Sequence, residues 1–183
     1  GHWFHRVPQE RIREHYRTFS HGMKRILFDG TVEGPGFMDI PWEDPNRVKD
    51  LAFARLLPIR QSIGQYLSGF PPEQLIQGVS QISLSSTADL SGEARNLADW
   101  MQECLTSAGA SDELEKKYAE LDQQGKVIHG EWCDKDGKTL FSFKLDLEKS
   151  LGTLHAQFAN CEEWPFEAHV LGAREALSEA VFF

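Results

Sequence analysis

The sequence predicts an α+β fold: a mainly helical N-terminal two-thirds with about five helices, then a three-stranded antiparallel β-meander and a C-terminal helix. Up to about residue 124, apolar residues recur at the three- and four-residue steps of amphipathic helices. From Lys126 the period changes to the alternation of half-buried strands. We expect a single domain over residues 1–183, with the helical part over about 7–124, the meander over about 126–158 and the last helix over about 170–182.

The helices are predicted from apolar spacing together with start and stop residues. Pro58 lies inside the second helix and should kink or divide it. The third helix is ambiguous, since Ile82 and Leu84 in a serine-rich run could equally form an extended segment. The fifth helix is predicted to end at Gly125 in a left-handed conformation. The predicted spans are Val7 to about Asp29, Asp44 to about Gly69, Glu73 to Ser83, Ser91 to Ser107 and Ser111 to Gln124.

The meander can be predicted down to its register. Asp136-Gly137 is a favoured hairpin turn, and closing the first hairpin there pairs Trp132 with Phe141, Gly130 with Phe143 and Ile128 with Leu145. Closing the second hairpin on residues 148–151 puts Phe141 near Phe158 and Leu145 near Leu154. Both turns therefore give one consistent apolar face.

The opposite face of the meander is the first candidate site. The predicted registers align His129, Lys144 and His155 in one row, and Glu131, Ser142 and Gln157 in the next. His129 and Glu131 are two residues apart on one strand, so both project to the same side, as a histidine and an orienting carboxylate would. We take His129, Glu131, Lys144 and His155 as candidate catalytic residues. The alternative is an ordinary polar sheet face exposed to solvent.

The glycine- and proline-rich segment 30–45 is the second candidate. It is predicted to be a loop packed on the body, because it contains several large apolar side chains. Aromatic side chains give contact area and acidic ones attract a basic protein, so the candidate partner-binding residues are Phe37, Met38, Trp42, Glu43 and Asp44. The alternative is that these side chains fill a gap between helices.

The charge distribution narrows the partner classes. The net charge is −9, but residues 1–25 hold six basic and two acidic side chains, so this segment carries +4 and the remainder −13. Nine acidic residues against three basic ones lie between positions 86 and 124. An acidic body repels phosphate backbones and attracts basic surfaces, so we expect no nucleic-acid partner and favour a basic protein.

Other features exclude classes of protein and site. The chain has no apolar run long enough to span a membrane and no signal-peptide pattern. We therefore predict a cytoplasmic protein with no membrane partner. Because the sequence begins Gly1-His2, a removed leader is left open. Three widely spaced cysteines predict reduced thiols. The short matches His129-Gly130-Glu131, to zinc deaminases, and Gly137-Lys138-Thr139, to a phosphate-binding loop, lack the rest of each motif. We therefore predict no metal and no cofactor.

Two functional hypotheses remain. The first is a non-catalytic acidic module, of an immunity, inhibitor or chaperone-like kind, that engages a basic partner protein. The second is a small enzyme using acid/base chemistry at the polar face of the meander. A concave histidine face would favour the enzyme, and a flat, open one the binding module.

Overall fold

A six-stranded mixed β-sheet organises the chain, with helices packed against it and a smaller two-stranded sheet beside it. The computed structural model describes residues 9–33, 37, 40–159 and 163–182. The strands are β1 (Ile26–Phe28), β2 (Val48–Asp50), β3 (Val79–Ser86), β4 (Glu115–Glu120), β5 (Val127–Asp134), β6 (Thr139–Asp146), β7 (Leu151–Ala156) and β8 (Trp164–Glu167). The α-helices are α1 (Gln9–Ser20), α2 (Gly30–Glu33), α3 (Leu51–Arg55), α4 (Leu57–Leu67), α5 (Pro72–Ile76), α6 (Ser91–Ser107) and α7 (Ala173–Phe182), with 3₁₀ turns at Pro45–Arg47 and Ala88–Leu90.

The large sheet has the strand order β4-β3-β5-β6-β7-β8. Helix α6 connects β3 to the parallel edge strand β4, whereas all other neighbours in this sheet are antiparallel. The small sheet pairs β1 with β2 in parallel. A crossover helix is the usual way to join two parallel neighbours, so α6 has to lie on one face of the sheet.

The main core lies between the sheet and helices α4 and α6. Its sheet side is built by alternating residues of β3, β5, β6 and β7, which leaves every second side chain of these strands for the opposite face. Trp132 and Phe141 stack in the middle with ring centroids 4.3 Å apart. The largest fully buried side chains are Trp132, Phe141, Phe143, Leu56, Ile59, Ile63, Ile82, Leu97, Met101, Ile128, Leu145 and Leu154.

The predicted architecture is wrong, although the chain is α+β as expected. The sheet has six strands rather than three, and the N-terminal part is not mainly helical, because it contains β1, β2, β3 and β4. Helix α1 ends at Ser20, and the predicted continuation towards Asp29 contains β1. The predicted fifth helix is the exposed edge strand β4, although Gly125 has the predicted positive φ.

Other helix predictions hold in part. Helix α6 spans the predicted residues 91–107. The second predicted helix begins with the 3₁₀ turn Pro45–Arg47 and β2, and the helical part that follows is divided at Leu56. Pro58 lies in the first turn of α4, where the missing N–H is tolerated. The ambiguous segment 73–83 splits into both alternatives, since α5 ends at Ile76 and β3 follows from Val79.

The register of the first hairpin is confirmed. Trp132 pairs with Phe141, Gly130 with Phe143 and Ile128 with Leu145 around the Asp136-Gly137 turn. The second predicted register is wrong by two residues, because Phe141 pairs with Ala156 and Leu145 with Gly152. The shift keeps the apolar face intact, since a displacement of two residues returns each side chain to the same side.

A second, smaller core brings residues of β1 and β2 together with Phe37 and Ile40. Phe28, Phe37, Ile40 and Val48 are buried there, with Trp42 packed against them. Across the described ranges, no helix is both long and apolar enough to cross a membrane.

Candidate functional site

The polar face of the large sheet contains an open depression with a volume of about 690 Å³, which we call the sheet groove. It lies over β3, β4, β5 and β6 on the side opposite α6. A depression of this size falls within the range of small-molecule sites. The lining residues are Ser83, Leu84, Ser85, Lys117, Tyr118, Ala119, His129, Gly130, Glu131, Ser142, Phe143 and Lys144.

Strand pairing orders the groove into two rows of side chains. The first row consists of Ala119, Ser85, His129, Lys144 and Thr153, each opposite the next on the neighbouring strand. The second row consists of Lys117, Ser83, Glu131, Ser142 and His155. The prediction that His155 shares a row with His129 and Lys144 is therefore wrong, because Thr153 occupies that place. Three of the four predicted catalytic residues line the groove, and His155 lies beyond its lining on β7.

His129 and Lys144 form the central feature of the first row. They are directly paired across β5 and β6, and Ser85 lies opposite His129 on its other side. Partial burial lowers the pKa of His129, and the nearby positive charge of Lys144 lowers it further. A neutral imidazole beside an ammonium group can accept a proton from a ligand that the ammonium group attracts.

Lys144 is a cation without an ion-pair partner among the described residues. The acidic groups on the same strand face are engaged elsewhere: Glu131 accepts a hydrogen bond from Thr139 at 2.9 Å, and Asp146 pairs with Lys149 at 2.6 Å. Lys144 is also exposed on the groove floor. Its charge is thus available to a ligand.

Glu131 does not orient His129 in this arrangement. Its Oε2 accepts from Thr139, whose hydroxyl also lies 3.9 Å from the Sγ of Cys133, and the part of the chain that the structure describes shows no hydrogen bond between Glu131 and His129. Burial raises the pKa of the Cys133 thiol; the contact with Thr139 opposes this effect, and nearby carboxylates add to it. The thiol is therefore protonated and is a poor nucleophile.

The β4 side of the groove is bounded by a linked set of polar groups. Lys117 Nζ donates to Gln81 Oε1 at 2.5 Å and lies 3.3 Å from Glu115, and Gln81 Nε2 donates to the hydroxyl of Ser83 at 2.6 Å. Lys117 is thus held by its neighbours, in contrast to Lys144. Ser83, Ser85 and Ser142 add hydroxyl groups that can donate to or accept from a ligand.

The predicted partner-binding residues are only partly placed on the surface. Phe37 is 7% exposed and stacks on Phe28 with ring centroids 4.4 Å apart, and Trp42 Nε1 donates to the carbonyl of Phe37 at 3.2 Å. Glu43 is exposed, and Asp44 pairs with Arg47 at 2.9 Å. Met38 lies outside the described residues. The two described aromatics lie in the smaller core, and binding to a basic partner stays a prediction.

A second polar cluster, which we call the Arg55 network, was missed by the sequence analysis. Arg55 donates to Asp29 through Nη1 and Nη2 at 2.8 and 2.9 Å, and to Glu93 Oε1 through Nε and Nη2 at 2.9 and 2.7 Å. The hydroxyl of Thr31 donates to Glu93 Oε2 at 2.9 Å. The hydrogen bond from Arg55 is the largest cause that lowers the pKa of Asp29. These bonds connect α2, α3 and α6.

Asp50 extends this network. Its Oδ1 accepts from the backbone N–H groups of Gly30 and Ala52 at 2.8 Å each, and its Oδ2 accepts from Asn96 at 2.6 Å. Burial raises the pKa of Asp50 against these hydrogen bonds, which act to lower it. Because protein donors occupy the carboxylates, the network holds elements together rather than presenting ligands.

One sequence signal could have indicated the network. Glu93 lies on the same helical face as Leu97 and Met101, and its side chain is only 5% exposed. A carboxylate on the apolar stripe of a helix needs a buried cationic partner. The sequence does not reveal that the partner is Arg55, 38 residues away.

Within residues 9–33, 37, 40–159 and 163–182, no group of histidine, cysteine and acidic side chains has the arrangement of a metal site. Comparison of the chain with family models, with curated proteins and with solved structures gives no match.

Proposed function

We propose that this chain is a small enzyme that binds a small organic anion in the sheet groove and uses His129 as its proton acceptor. The observation that carries the proposal is the direct pairing of His129 with Lys144, whose charge no described carboxylate neutralises. The ammonium group would hold the anion, and the neutral imidazole beside it would exchange a proton with the bound molecule. Ser85, opposite His129, supplies a hydroxyl at the same row.

The concavity of the histidine face favours this hypothesis over the non-catalytic module. A polar sheet face exposed to solvent need not be concave, whereas a depression of about 690 Å³ accommodates a small molecule. Of the nine acidic residues between positions 86 and 124, Glu93 is buried and paired with Arg55, while the other eight are exposed. That exposed acidity keeps the basic-partner hypothesis as the second candidate.

The test is an NMR titration of the isotope-labelled protein with acetate, succinate and inorganic phosphate. We expect saturable chemical-shift changes at the His129 ring and the Lys144 side chain, together with an increase in the pKa of His129 when the anion is bound, because a negative charge nearby favours the imidazolium form. Lys144→Met should abolish these changes. Lys135→Met removes an exposed lysine of the β5–β6 turn and should leave them intact.

The role of His129 is separable from binding. His129→Asn should retain the shift changes at Lys144, because the cation is preserved, while removing the titrating group. If none of the three anions produces a saturable change in the groove, or if Lys135→Met has the same effect as Lys144→Met, the anion-binding proposal is wrong.

A further inference from the structure

Within the ranges that the structure describes, the edge strand β4 has a strand partner on one side only, and its sequence can pair with itself. All six of its residues are exposed, and its neighbour in the sheet, β3, covers one edge only. The opposite edge strand, β8, contains Pro165, which lacks a backbone N–H and so protects that edge. Strand β4 has no proline or β-bulge, but its two lysines and two glutamates would repel a partner strand in the wrong register. An exposed strand edge with free backbone groups is a template for a second strand.

We propose that β4 pairs antiparallel with β4 of a second copy of this chain, about a two-fold axis at Tyr118. The two-fold axis of a continuous sheet is perpendicular to the sheet, so it leaves every side chain on its own face. Because residues opposite each other have to point to the same face, the axis must pass at a residue that lies opposite its own copy. Centring on Lys116 or Lys117 would place like charges opposite each other. Centring on Tyr118 places tyrosine opposite tyrosine and Lys116 opposite Glu120, and symmetry repeats the attractive pair.

The side chains at this edge fit that register. Tyr118 is 46% exposed on the α6 side of the sheet, where Arg95 lies 5.8 Å from its ring centroid. Glu120 is exposed and has no ion pair among the described residues, so its carboxylate is available to Lys116 of the second copy. An axis at Ala119 would instead place Tyr118 opposite Glu120. Lys116 would then face Asp122, which lies outside the strand.

This pairing adds a residue to the sheet groove. With Tyr118 at the axis, Lys117 of the second copy lies opposite Ala119, and both project to the groove side. Lys117 of the second copy therefore extends the row that contains Ser85, His129 and Lys144. The part of that row that lines the groove would then run from Lys117 of the second copy to Lys144 of the first.

The test is sedimentation equilibrium of the full chain and of charge-reversed variants. At about 100 µM, which is well above the Kd of an interface of micromolar affinity, we expect the wild type to show twice the monomer mass of 20.8 kDa. Lys116→Glu and Glu120→Lys should each weaken dimerisation by about tenfold or more, since each turns two attractive cross-strand pairs into repulsive ones. The double variant Lys116→Glu/Glu120→Lys restores opposite charges and should recover the dimer.

Two controls separate pairing from folding. Asp99→Asn removes the ion pair that Lys116 makes within its own chain at 2.5 Å, and it should leave the dimer intact. Circular dichroism should show that Glu120→Lys is folded, because Glu120 is exposed. A monomeric wild type, a double variant that does not recover the dimer, or an Asp99→Asn variant as dissociated as Lys116→Glu would each overturn the proposal.

The register itself is tested by cross-linking. In a Cys104→Ser/Cys161→Ser background, which retains the buried Cys133, Tyr118→Cys should form an intermolecular disulfide on oxidation, because residues directly opposite each other bring their Cβ atoms to about 5 Å. Glu115→Cys should not, since its two copies would lie six residues apart along the strands, roughly 20 Å. Cross-linking of Glu115→Cys in place of Tyr118→Cys would overturn the register.

Discussion

Arg55 and Asp29 form a two-point ion pair, with Nη1 donating to Oδ2 at 2.8 Å and Nη2 to Oδ1 at 2.9 Å. The same guanidinium group also donates to Glu93, so one side chain bridges two carboxylates from different elements. Planar guanidinium groups suit such two-point contacts, and lysine could not reproduce them. The Arg55 network is therefore the main polar connection between α2, α3 and α6.

Arg55→Met should destabilise the protein by about 3 kcal/mol, since it leaves Asp29 and the nearly buried Glu93 without their cation. The loss stays below the upper end of the range for a fully buried pair, because the Arg55 side chain retains 21% exposure. Urea unfolding monitored by circular dichroism measures the change in the free energy of unfolding. Arg47→Met removes an exposed ion pair with Asp44 and should cost less than about 1 kcal/mol. Equal effects of the two variants would show that the network is no more important than a surface pair.

Gly92 lies where α6 packs tightly against α2. A Cβ at position 92 would lie 2.6 Å from the backbone N of Thr31 and 2.8 Å from the backbone C of Gly30. Backbone atoms cannot turn aside as a flexible side chain can, so Gly92→Ala has to separate the two elements and should cost about 2 to 3 kcal/mol.

The matched control for this change is Gly64→Ala. Gly64 lies inside α4, and no atom would lie within 4 Å of its added Cβ. Alanine is the better helix former, so this variant should be more stable by about 0.5 to 1 kcal/mol. Thermal unfolding of both variants gives opposite signs if the packing is as described, and a stabilised Gly92→Ala variant would contradict it.

The parts of the fold that the sequence predicts well are those with a strong local pattern. Helix α6 has a long apolar stripe, and the β5–β6 hairpin combines strict alternation with an Asp-Gly turn whose glycine has the required positive φ. In both cases the residues that determine the structure are close together in the sequence. The candidate residues His129, Glu131 and Lys144 were placed on one face for the same reason.

The parts that were missed lack such a pattern. Strand β4 is exposed at every residue, so no alternation appears, and its glutamates, lysines and alanine are good helix formers. Strands β1 and β2 have three residues each, too few to show a period. The β6–β7 turn contains Ser150 at a φ of 53°, and serine gives no signal for a left-handed conformation, which explains the two-residue error that misplaced His155.

The Arg55 network could not be predicted because its members are far apart in the chain. Asp29, Arg55 and Glu93 become neighbours only when α2, α3 and α6 pack together. The same applies to the sheet groove, whose walls include Lys117 from β4 and Ser85 from β3. Side chains on strands whose pairing is unknown cannot be assigned to one site.

The buried position of the loop aromatics leads to a prediction about their role. Trp42 packs on Phe37 with ring centroids 5.3 Å apart and belongs to the smaller core. Trp42→Ala should therefore lower the free energy of unfolding by about 2 to 3 kcal/mol, less than a fully buried tryptophan because Trp42 is only half-buried. Glu43→Ala, at the exposed neighbouring position, should change it by less than about 0.5 kcal/mol. A Trp42→Ala variant of unchanged stability would mean that the aromatic side chain is free for a partner.

The lowered pKa of His129 makes stability depend on pH. The folded state binds a proton at this ring less readily than the unfolded chain does, whose histidines titrate near ~6.5. At pH values between the folded and the unfolded pKa of His129, the unfolded state binds more protons than the folded state. The stability that the neutral ring contributes is therefore fully present above pH ~6.5 and is lost as the pH falls through the folded pKa. His129→Asn should flatten this part of the stability profile, measured by urea unfolding at a series of pH values from about 7.5 to 5. Lys144→Met should raise the pKa of His129 in an NMR titration, because it removes one of the two causes of the shift. His169→Asn, which changes an exposed histidine outside the groove, should leave the profile unchanged. A flattened profile in that variant would show that the pH dependence does not come from His129.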